Sequence, residues 1–386
     1  MSKKIDAYTI ISESKKLGLD IVSYTDASIL EQDREKALAW QNSGYAAEMT
    51  YMQRSADLLS NPLMLMPEAK SIIAFCMYYE RTQTPVLSRG YGRVARYAWG
   101  KDYHKVIKKK LKKLVMNLNN RSGVSFNYRI FSDAVPLLER GLAVKAGLGF
   151  IGKNSMLIRP KSGSFFFIAE ILCDLEISGG SLPVLSENCG TCNNCKVACP
   201  TGAIVDDYII DANKCISYLT IEKRGMFNYW QREAVKDWIF GCDICQDVCP
   251  FNHQSLKKEA PPALKEFSRE CGAGPELKLS AILAIRTDEN FKRDFSGSAI
   301  MRAGREGLLR NAAAVAVNTD AECCIASLEE AFMHDSSEVV RSHALWGALS
   351  LNRKFNLFSK TRYNRLIDRA NADCQTVKDE LKFLNA

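Results

Sequence analysis

The spacing of hydrophobic and polar positions changes along this chain. Its first part predicts a domain in which helices and strands are mixed. Up to about residue 180, apolar positions alternate between helical and strand spacing. A helix is predicted over residues 6–16, and extended segments are predicted at DIVSY (20–24), SIIAFCMYY (71–79), NYRIF (127–131) and SFFFIAEILCDLEI (164–177). Such an alternation indicates an α/β or α+β domain with its own core.

Two further regions follow this domain. Residues 181–255 hold cysteine motifs and few apolar runs, and residues 256–386 have a helical period throughout, after the connector PPALKEF. In the last region LLRNAAAVAV and VVRSHALWGAL superpose when Arg310 is laid on Arg341, which is typical of stacked HEAT-like helix pairs, although a plain bundle would give a similar pattern. We therefore predict an α+β fold class with domains at 1–180, 181–255 and 256–386.

The composition indicates an ordinary soluble protein, with 47% hydrophobic and 25% charged residues in a chain of 386. The first residues are polar, and no apolar run approaches the roughly 20 residues of a membrane span. We expect a cytoplasmic protein with no membrane partner. Because the cytoplasm keeps thiols reduced, the 14 cysteines are not expected to form a disulfide framework, and those in the clustered motifs are predicted to bind metal. Six lie outside the motifs and are predicted to be ordinary small hydrophobic residues: Cys76, Cys173, Cys271, Cys323, Cys324 and Cys374.

The net charge of +8 is concentrated in one stretch of the chain. Residues 89–113 contain ten basic side chains and one acid, Asp102. Apolar positions in the second half of the stretch have helical spacing, which predicts an amphipathic helix with its lysines on one side. That face is either simply solvated or a surface that meets a polyanionic backbone, and the sequence leaves both interpretations open.

The strongest chemical signal is CGTCNNCKVACP, which begins at Cys189. It has the bacterial ferredoxin spacing for a cubane iron–sulfur cluster, in which the fourth cysteine ligates the other cluster of a pair. A second motif, CDICQDVCP, and the separate Cys215 supply the remaining thiols. Zinc is the alternative, but a four-ligand zinc site would leave half of these thiols unused. We predict two 4Fe–4S clusters, one held by Cys189, Cys192, Cys195 and Cys249, the other by Cys199, Cys215, Cys242 and Cys245.

The hexapeptide GLGFIG (147–152) has the glycine spacing of a dinucleotide-binding fingerprint. Its context differs from that of the fingerprint, because a helical pattern precedes it and an extended pattern follows it. A dinucleotide fold requires a strand before the glycines and a helix after them. We therefore do not predict a nicotinamide site here.

Six segments, taken in order, resemble the epoxyqueuosine reductase family, strongly over residues 1–255 and loosely over the helical tail. The resemblance implies that an epoxide on the wobble nucleoside of certain tRNAs is reduced to an alkene, the last step of queuosine synthesis. It also implies an N-terminal cobalamin-binding domain, a ferredoxin-like domain with two 4Fe–4S clusters, tRNA and an unidentified electron donor as partners, and a monomer. The segments are RYAWGKDYHKVIKKKLKKL, FSDAVPLLERGLAVKAGLGFIGKNSMLI, GSFFFIAEIL, CGTCNNCKVACPTGAI, KCISYLTIE and IFGCDICQDVCPFN.

The resemblance implies roles for single residues as well. Asp133 matches the family's proton donor to the leaving alkoxide, and burial would keep such a carboxyl protonated. Taken alone, an aspartate at this place is better explained as a helix N-cap. The positions that match cofactor-binding residues are Asp133, Glu139, Arg140, Lys153, Asn154, Ser155, Ser217 and Asp243.

The chain departs from the family at a few positions. Relatives often carry an arginine near residues 59–61, and tryptophan is usual where this chain has Phe150 and Phe251. A cobalamin-dependent reductase of a small molecule, similar to a dehalogenase, therefore stays open, as does an electron-transfer protein with a helical docking domain. Features that favour tRNA are the basic stretch and, in the tail, Arg302, Arg305, Arg310 and Arg341.

Overall fold

The computed structural model describes residues 3–82, 85–133, 136–255 and 261–385, which form two compact units. The first unit consists of Met1–Thr82, Gly100–Cys215 and Asp243–Cys271, and the second of Gln83–Trp99, Ile216–Cys242 and Gly272–Ala386. Each unit is thus assembled from three separate stretches of the chain. The three-domain division stays a prediction, and residues 256–260 of the predicted boundary lie outside the described residues.

Short strands and helices alternate through the described ranges. The strands are β1 Lys4–Asp6, β2 Ile21–Asp26, β3 Ser71–Tyr78, β4 Tyr91–Val94, β5 Tyr128–Phe131, β6 Phe150–Ile151, β7 Leu157–Ile158, β8 Phe166–Cys173, β9 Glu176–Ser178, β10 Ile204–Asp206, β11 Ile209–Ile210, β12 Trp238–Phe240 and β13 Glu276–Lys278. The α-helices are α1 Ala7–Lys15, α2 Glu31–Asn42, α3 Ala56–Ser60, α4 Tyr103–Ser122, α5 Glu139–Lys145, α6 Asn194–Ala198, α7 Ile216–Ile221, α8 Tyr229–Ala234, α9 Ile244–Asp247, α10 Pro250–Ser255, α11 Leu279–Leu283, α12 Asp288–Phe295, α13 Gly304–Asn318, α14 Ile325–His334, α15 Glu338–Phe355, α16 Lys360–Asn371 and α17 Gln375–Asn385. In these ranges, no helix combines the length and the apolar character needed to cross a bilayer.

A four-stranded antiparallel sheet organises the first unit. Its order is β2-β3-β8-β5, and the central β3 pairs with β8 along its whole length. Every residue of β3 is buried, as expected for a strand that is covered on both faces. All four strands coincide with segments that the sequence predicted to be extended, except that β2 continues two residues beyond DIVSY, to Asp26. Those segments are rich in β-branched and aromatic residues.

Helix α4 covers one face of this sheet with an apolar stripe. Ile107, Leu111, Leu114 and Leu118 are fully buried, whereas most of the lysines between them are exposed. The helix begins after Asp102, whose side chain accepts a hydrogen bond from the His104 backbone, and ends at a glycine with a left-handed backbone. The amphipathic helix predicted from the basic stretch is confirmed.

Helix α5 covers the opposite face of the sheet. Its Ala143 packs with Ala74 of β3 and Phe166 of β8 in one apolar cluster. Tyr103 at the start of α4 stacks on Phe167 instead, with ring centroids 4.3 Å apart. Since successive side chains of a strand point to opposite faces, even-numbered positions of β8 face α5 and odd-numbered positions face α4.

Gly147 and Gly149 of GLGFIG lie between helix α5 and strand β6, and Gly152 follows β6 in the connection to β7. A Cβ at Gly149 would stand 2.5 Å from the Ile158 carbonyl oxygen, so a side chain at this position would collide with the neighbouring strand. The context is a helix before the glycines and a strand after them, as the sequence predicted. Close backbone packing explains this glycine.

The second unit combines a three-stranded sheet with the C-terminal helices. The order of the sheet is β12-β4-β13, and α15 packs against α13, α14 and α17. The prediction that the region after residue 256 is entirely helical is wrong at Glu276–Lys278, which forms an antiparallel edge strand on β4. A three-residue strand has too few positions for a period of two to show. The HEAT-like arrangement stays a prediction.

The arginines of the tail that were predicted to meet tRNA serve largely within the second unit. Arg305 and Arg310 are buried, and Arg305 forms a two-bond ion pair with Asp335. Arg310 donates hydrogen bonds to the carbonyl oxygens of Leu219, Lys223 and Gly225, at 2.8 to 3.0 Å. Arg341 pairs with Asp373, and the more exposed Arg302 pairs with Glu222. The prediction is therefore wrong for Arg305 and Arg310, because a buried guanidinium cannot reach a phosphate.

We expect Arg310→Ala to lower the free energy of unfolding by about 3 kcal/mol or more, because three carbonyl groups lose a donor and each unmade buried hydrogen bond costs roughly 1–3 kcal/mol. Lys354→Ala, which removes an exposed ion pair with Asp320, is the control and should cost no more than about 1 kcal/mol. Urea unfolding followed by circular dichroism measures both variants. An equally small loss in both would show that Arg310 does not support the fold.

Candidate functional site

Seven of the eight cysteines predicted to hold clusters belong to the first unit, and Cys242 ends a stretch of the second. No disulfide joins them in the described ranges. Within the part of the chain that the structure describes, no three His, Cys, Asp or Glu side chains come close enough to hold one metal ion. The residues around these thiols nevertheless show that the seven cysteines of the first unit form two adjoining groups.

The first group brings Cys249 of the second motif to the first motif. Cys249 and Cys189 share an apolar cluster with Phe150 and Phe251. Burial, followed by the charges of Cys189 and Cys195, raises the pKa of the Cys249 thiol. Burial and the charges of Cys189 and Cys192 likewise raise the pKa of Cys195. Cys249 is therefore a neighbour of thiols that lie far from it in sequence.

The second group surrounds Cys245. Burial is the main cause of the raised pKa of its thiol, and the charges of Cys215, Asp243, Cys195 and Cys199 add to it. Cys215, which stands alone in the sequence, thus comes close to the second motif. Cys195 is a neighbour of both Cys249 and Cys245, so the two groups adjoin within the first unit.

Two aromatic rings lie beside the first group of thiols. Phe150 and Phe251 meet edge to face with ring centroids 5.2 Å apart, and both contact the cluster that contains Cys249. These are the positions at which tryptophan is usual in the family that the sequence resembles. An apolar wall next to the thiols limits their contact with water, which is one of the factors that set the potential of an iron–sulfur cluster.

Asp133 follows β5 with a left-handed backbone, at φ 58°. Its Oδ2 accepts a hydrogen bond of 2.5 Å from the Tyr103 hydroxyl, and its backbone N–H donates one of 2.6 Å to Glu139 Oε1. Helix α5 begins after Leu138 and has no side-chain cap, so the N-cap interpretation of Asp133 is wrong. The side chain is exposed in this structure, whereas the sequence predicted burial. Aspartate is one of the non-glycine residues that adopt this backbone conformation most readily.

Tyr103 was not predicted from the sequence to take part in the site. Its ring is stacked between His104 and Phe167, with centroid distances of 4.0 and 4.3 Å. This packing fixes the direction of the hydroxyl that holds Asp133. The only sequence signal is an aromatic residue in the first turn of a helix that is otherwise rich in lysine, and that signal is too weak to identify a site residue.

Two glutamates accompany Asp133 in the first unit. Burial, and then the charge of Asp133, raise the pKa of Glu139 to about 8. Glu170 of β8 is fully buried, and in the described ranges neither carboxyl oxygen has a hydrogen-bond partner. Burial, and then the charge of Glu139, raise the pKa of Glu170 well above its ordinary value. Burial therefore disfavours the charged form of both carboxyls.

The segment after β6 connects the region of Asp133 to the cysteine motifs. Lys153 is buried, its backbone N–H donates to Cys189 Sγ at 3.4 Å, and its ammonium group donates to Asn193 at 3.1 Å. The Asn154 side chain donates to the Cys245 carbonyl oxygen at 3.2 Å. Lys153 therefore contacts the first cysteine motif directly, and Asn154 contacts the second.

The remaining predicted cofactor-binding residues divide between the two units. Arg140 donates a hydrogen bond to the Ser155 carbonyl, so the start of α5 and the turn after β6 are joined. Asp243 is buried next to Cys245. Ser217 lies half-buried in α7 of the second unit. The structure thus brings Asp133, Glu139, Arg140 and Ser155 together on one side of the first unit.

The basic stretch separates into exposed lysines and arginines with internal partners. In the second unit Arg89 pairs with Glu322, Arg93 pairs with Asp237, and Arg96 is buried. In the first unit five lysines of α4 are exposed, and none forms an ion pair within the described residues. We call these five the lysine face; they are Lys105, Lys108, Lys109, Lys112 and Lys113.

Comparisons with known proteins give two matches to family models. Residues 188–252 match the family model of a 4Fe-4S double cluster binding domain, and residues 60–134 match the model described as Epoxyqueuosine reductase QueG, DUF1730. The epoxyqueuosine reductase of Cyclobacterium marinum is 40% identical over 77% of this chain and 93% of its own length. The Escherichia coli K12 enzyme is 39% identical over 81% of this chain and 82% of its own. The chain belongs to the epoxyqueuosine reductase family. It is therefore an oxidoreductase.

Solved structures of epoxyqueuosine reductases have a similar fold. One, with an epoxyqueuosine-modified tRNA-Tyr stem loop, is 26% identical, with a TM-score of 0.84 over 98% of both chains. Another, from Bacillus subtilis, has its catalytic aspartate loop swung out of the active site. It is 26% identical, with a TM-score of 0.82 over 97% of this chain and 96% of its own. The mixed helix and sheet architecture of this chain is that of the epoxyqueuosine reductase family.

Proposed function

We propose that this chain reduces epoxyqueuosine to queuosine in tRNA, with cobalamin and two 4Fe–4S clusters as cofactors. The observation that carries the proposal is the presence, in one unit, of two adjoining groups of thiols and an aspartate held by a tyrosine and a glutamate. The lysine face favours tRNA over a small molecule, because several lysines together can neutralise the phosphates of a polyanionic backbone. The protein would work in the cytoplasm as a monomer, with a separate electron donor.

The proposed domain layout follows the sequence regions. Residues 1–180 would be the cobalamin-binding domain, residues 181–255 the ferredoxin-like domain, and residues 256–386 a HEAT-like helical domain. What supports the first two is that the matches to the reductase and double-cluster models fall inside them, at residues 60–134 and 188–252. The packing of α15 against α13, α14 and α17 supports the third.

The proposed cluster ligands exchange one cysteine between the two motifs. Cys249 would complete the set of Cys189, Cys192 and Cys195, and its place next to Cys189 supports this. The second set would be Cys199, Cys215, Cys242 and Cys245. The proximity of Cys215 and Cys199 to Cys245 supports three members of the second set, and Cys242 is included because of its motif spacing.

We expect anaerobically purified protein to bind about eight irons, since each cubane contains four and the ligands suffice for two. Cys215→Ala and Cys242→Ala should damage the same cluster, whereas Cys249→Ala should damage the other. Iron analysis and electron paramagnetic resonance of the reduced variants measure this. Four irons, stoichiometric zinc, or different clusters lost in the Cys215 and Cys242 variants would contradict the ligand sets.

Cobalamin fits the donor chemistry next to Asp133. The exposed side chains of Asp133 and Arg140 and the adjacent Ser155 are polar groups of the kind that can meet the amide rim of a corrin. When bound, cobalamin supplies a strongly reducing cobalt centre for the electron transfer to the epoxide. The residues that would hold it are Asp133, Glu139, Arg140, Lys153, Asn154, Ser155, Ser217 and Asp243.

Asp133 would give a proton to the oxygen that leaves the epoxide carbon. Tyr103 fixes one carboxyl oxygen, so the other can carry the proton. Glu139 fixes the backbone of the same residue. A proton donor held from two sides needs little reorganisation at the moment of transfer, which is how a positioned general acid accelerates a reaction.

Asp133→Asn should leave cluster and cobalamin spectra intact and lower turnover by about 10²- to 10⁴-fold, the usual contribution of a general acid. Tyr103→Phe should have a smaller effect, because it frees the carboxyl without removing its proton. Anaerobic turnover of epoxyqueuosine-containing tRNA with a chemical reductant and cobalamin, followed by mass spectrometry of the nucleosides, measures both. Parent-like turnover by Asp133→Asn would assign the proton to another group, and parent enzyme without queuosine product would overturn the proposed function.

The lysine face would bind the phosphate backbone of the tRNA. Its five lysines project from one helix of the first unit, on the side away from the apolar stripe of Ile107 and Leu111. Lys110 differs from them, since it is half-buried and pairs with Glu266 at 3.5 Å. Regularly spaced cations on a rigid helix can neutralise several phosphates at once and release their counterions.

We expect charge reversal at Lys108, Lys109 and Lys112 to weaken tRNA binding and to flatten its dependence on salt. Each lost phosphate contact should reduce the slope of log affinity against log salt by about 0.7 to 0.9. Charge reversal at Lys4, Lys36 and Lys70, which are exposed elsewhere in the first unit, makes the same change in net charge and is the control. Filter binding at several salt concentrations measures the slopes. Equal slopes in the two triple variants would show that the lysine face is only solvated.

A further inference from the structure

Two short segments of the second unit lie next to cysteines of the proposed second cluster. Helix α7 begins at Ile216, directly after Cys215, and strand β12 ends at Phe240, two residues before Cys242. A cubane takes a thiolate on each of its four irons. The backbone that carries two of those thiolates must therefore be held in a fixed position when the cluster is bound.

The side chain of Thr220, in α7, joins these two segments. It is fully buried, and its hydroxyl donates a hydrogen bond to the Ile216 carbonyl oxygen at 2.8 Å. The same hydroxyl accepts a hydrogen bond of 2.9 Å from the backbone N–H of Gly241. A hydroxyl can donate and accept at once, so the two bonds are compatible. One side chain thus fixes the residue after Cys215 and the residue before Cys242.

Gly241 has a backbone conformation that few other residues could adopt. Its φ is 70°, in the left-handed region, and a Cβ at this position would stand 2.5 Å from the Cβ of Ala95. Gly241 is buried, and a buried N–H without an acceptor costs free energy. The Thr220 hydroxyl supplies that acceptor, so the course of the chain into Cys242 depends on both residues.

Asn311 of helix α13 holds the same two segments from the C-terminal part of the chain. It is fully buried, and its Nδ2 donates to the Thr220 carbonyl oxygen at 2.8 Å and to the Ile239 carbonyl oxygen at 3.0 Å. Arg310 donates two hydrogen bonds to Asn311 Oδ1, at 3.0 and 3.2 Å. Because a guanidinium group has no acceptor, it binds the amide oxygen and leaves the amide nitrogen for the two carbonyl groups.

We propose that Thr220 and Asn311 form a connector that positions Cys215 and Cys242 as ligands of the second cluster, and this proposal rests on the ligand sets of the proposed function. Asn311 holds α7 and β12, and Thr220 holds the residues next to the two cysteines. Neither side chain is among the proposed iron ligands, so both are positioning residues that act through the backbone. Helix α13 would thus support a redox centre in addition to the core of the second unit.

The decisive variant is Thr220→Val, which keeps the branched shape of the side chain and removes its hydrogen-bonding group. Thr220→Ser retains the hydroxyl and tests for rescue. Asn311→Asp, which keeps the size of the side chain but has no donor when ionised, is a second and independent variant. Thr319→Val is the matched control, because the Thr319 hydroxyl donates to the Val315 carbonyl oxygen at 2.7 Å, at the end of α13.

Anaerobically purified holoprotein is treated with an iron(II) chelator, and the loss of each cluster is followed by electron paramagnetic resonance after reduction. The spectra of Cys249→Ala and Cys215→Ala identify the signals of the second and first clusters respectively, because each variant retains the other cluster. Thr220→Val and Asn311→Asp should lose the second cluster roughly tenfold faster than the parent, which corresponds to about 1.4 kcal/mol, the size expected for one lost buried hydrogen bond. The first cluster should be lost at the parent rate, and Thr220→Ser and Thr319→Val should behave as the parent.

The outcomes separate the connector from the proposed function. Parent protein with a single cluster, or different clusters lost in Cys215→Ala and Cys242→Ala, would overturn the ligand sets and the connector with them. A parent with both clusters and a Thr220→Val variant that loses them at the parent rate would overturn the connector alone. Equal acceleration for both clusters, or the same acceleration in Thr319→Val, would also overturn it, because a general loss of stability would then explain the effect.

Discussion

The pairing of β8 with β3 and β5 is the constraint on which the proposed site depends. Because side chains alternate along β8, Phe167 meets Tyr103 of α4 on one face, and Glu170 faces α5 on the other. Asp133 leaves the end of β5 between these two helices. It can therefore be held by Tyr103 and Glu139 at the same time. A change of register by one residue would exchange the faces and separate these groups.

The turn after β6 joins the region of Asp133 to the cysteine motifs within the first unit. Lys153 donates to the sulfur of Cys189, Asn154 to the carbonyl of Cys245, and the carbonyl of Ser155 accepts from Arg140. Hydrogen bonds to thiolate sulfurs are among the factors that set cluster potentials. Three consecutive residues thus contact the two cysteine motifs and helix α5.

Buried ionisable side chains have different surroundings in the two units. In the second unit, Arg310 satisfies carbonyl groups and Arg305 pairs with Asp335, so each cation has partners that offset the cost of burial. In the first unit, Glu170 has no hydrogen-bond partner in the described ranges, and burial raises the pKa of its carboxyl well above its ordinary value. The first arrangement offsets the cost of burying a charge, whereas the second favours the neutral form of a carboxyl.

Local patterns of the sequence determined much of this protein. The strands of the central sheet, the amphipathic α4 and the ferredoxin spacing depend on near neighbours, so residue order alone predicts them. Tertiary structure decided the rest, because it depends on residues that are distant in sequence. Three examples are the approach of Cys215 to Cys245, the hydrogen bond from Tyr103 to Asp133 and the burial of Arg310. An arginine on a helix has the same local pattern whether it faces solvent or a carbonyl of another segment, and only the packing of that segment distinguishes the two.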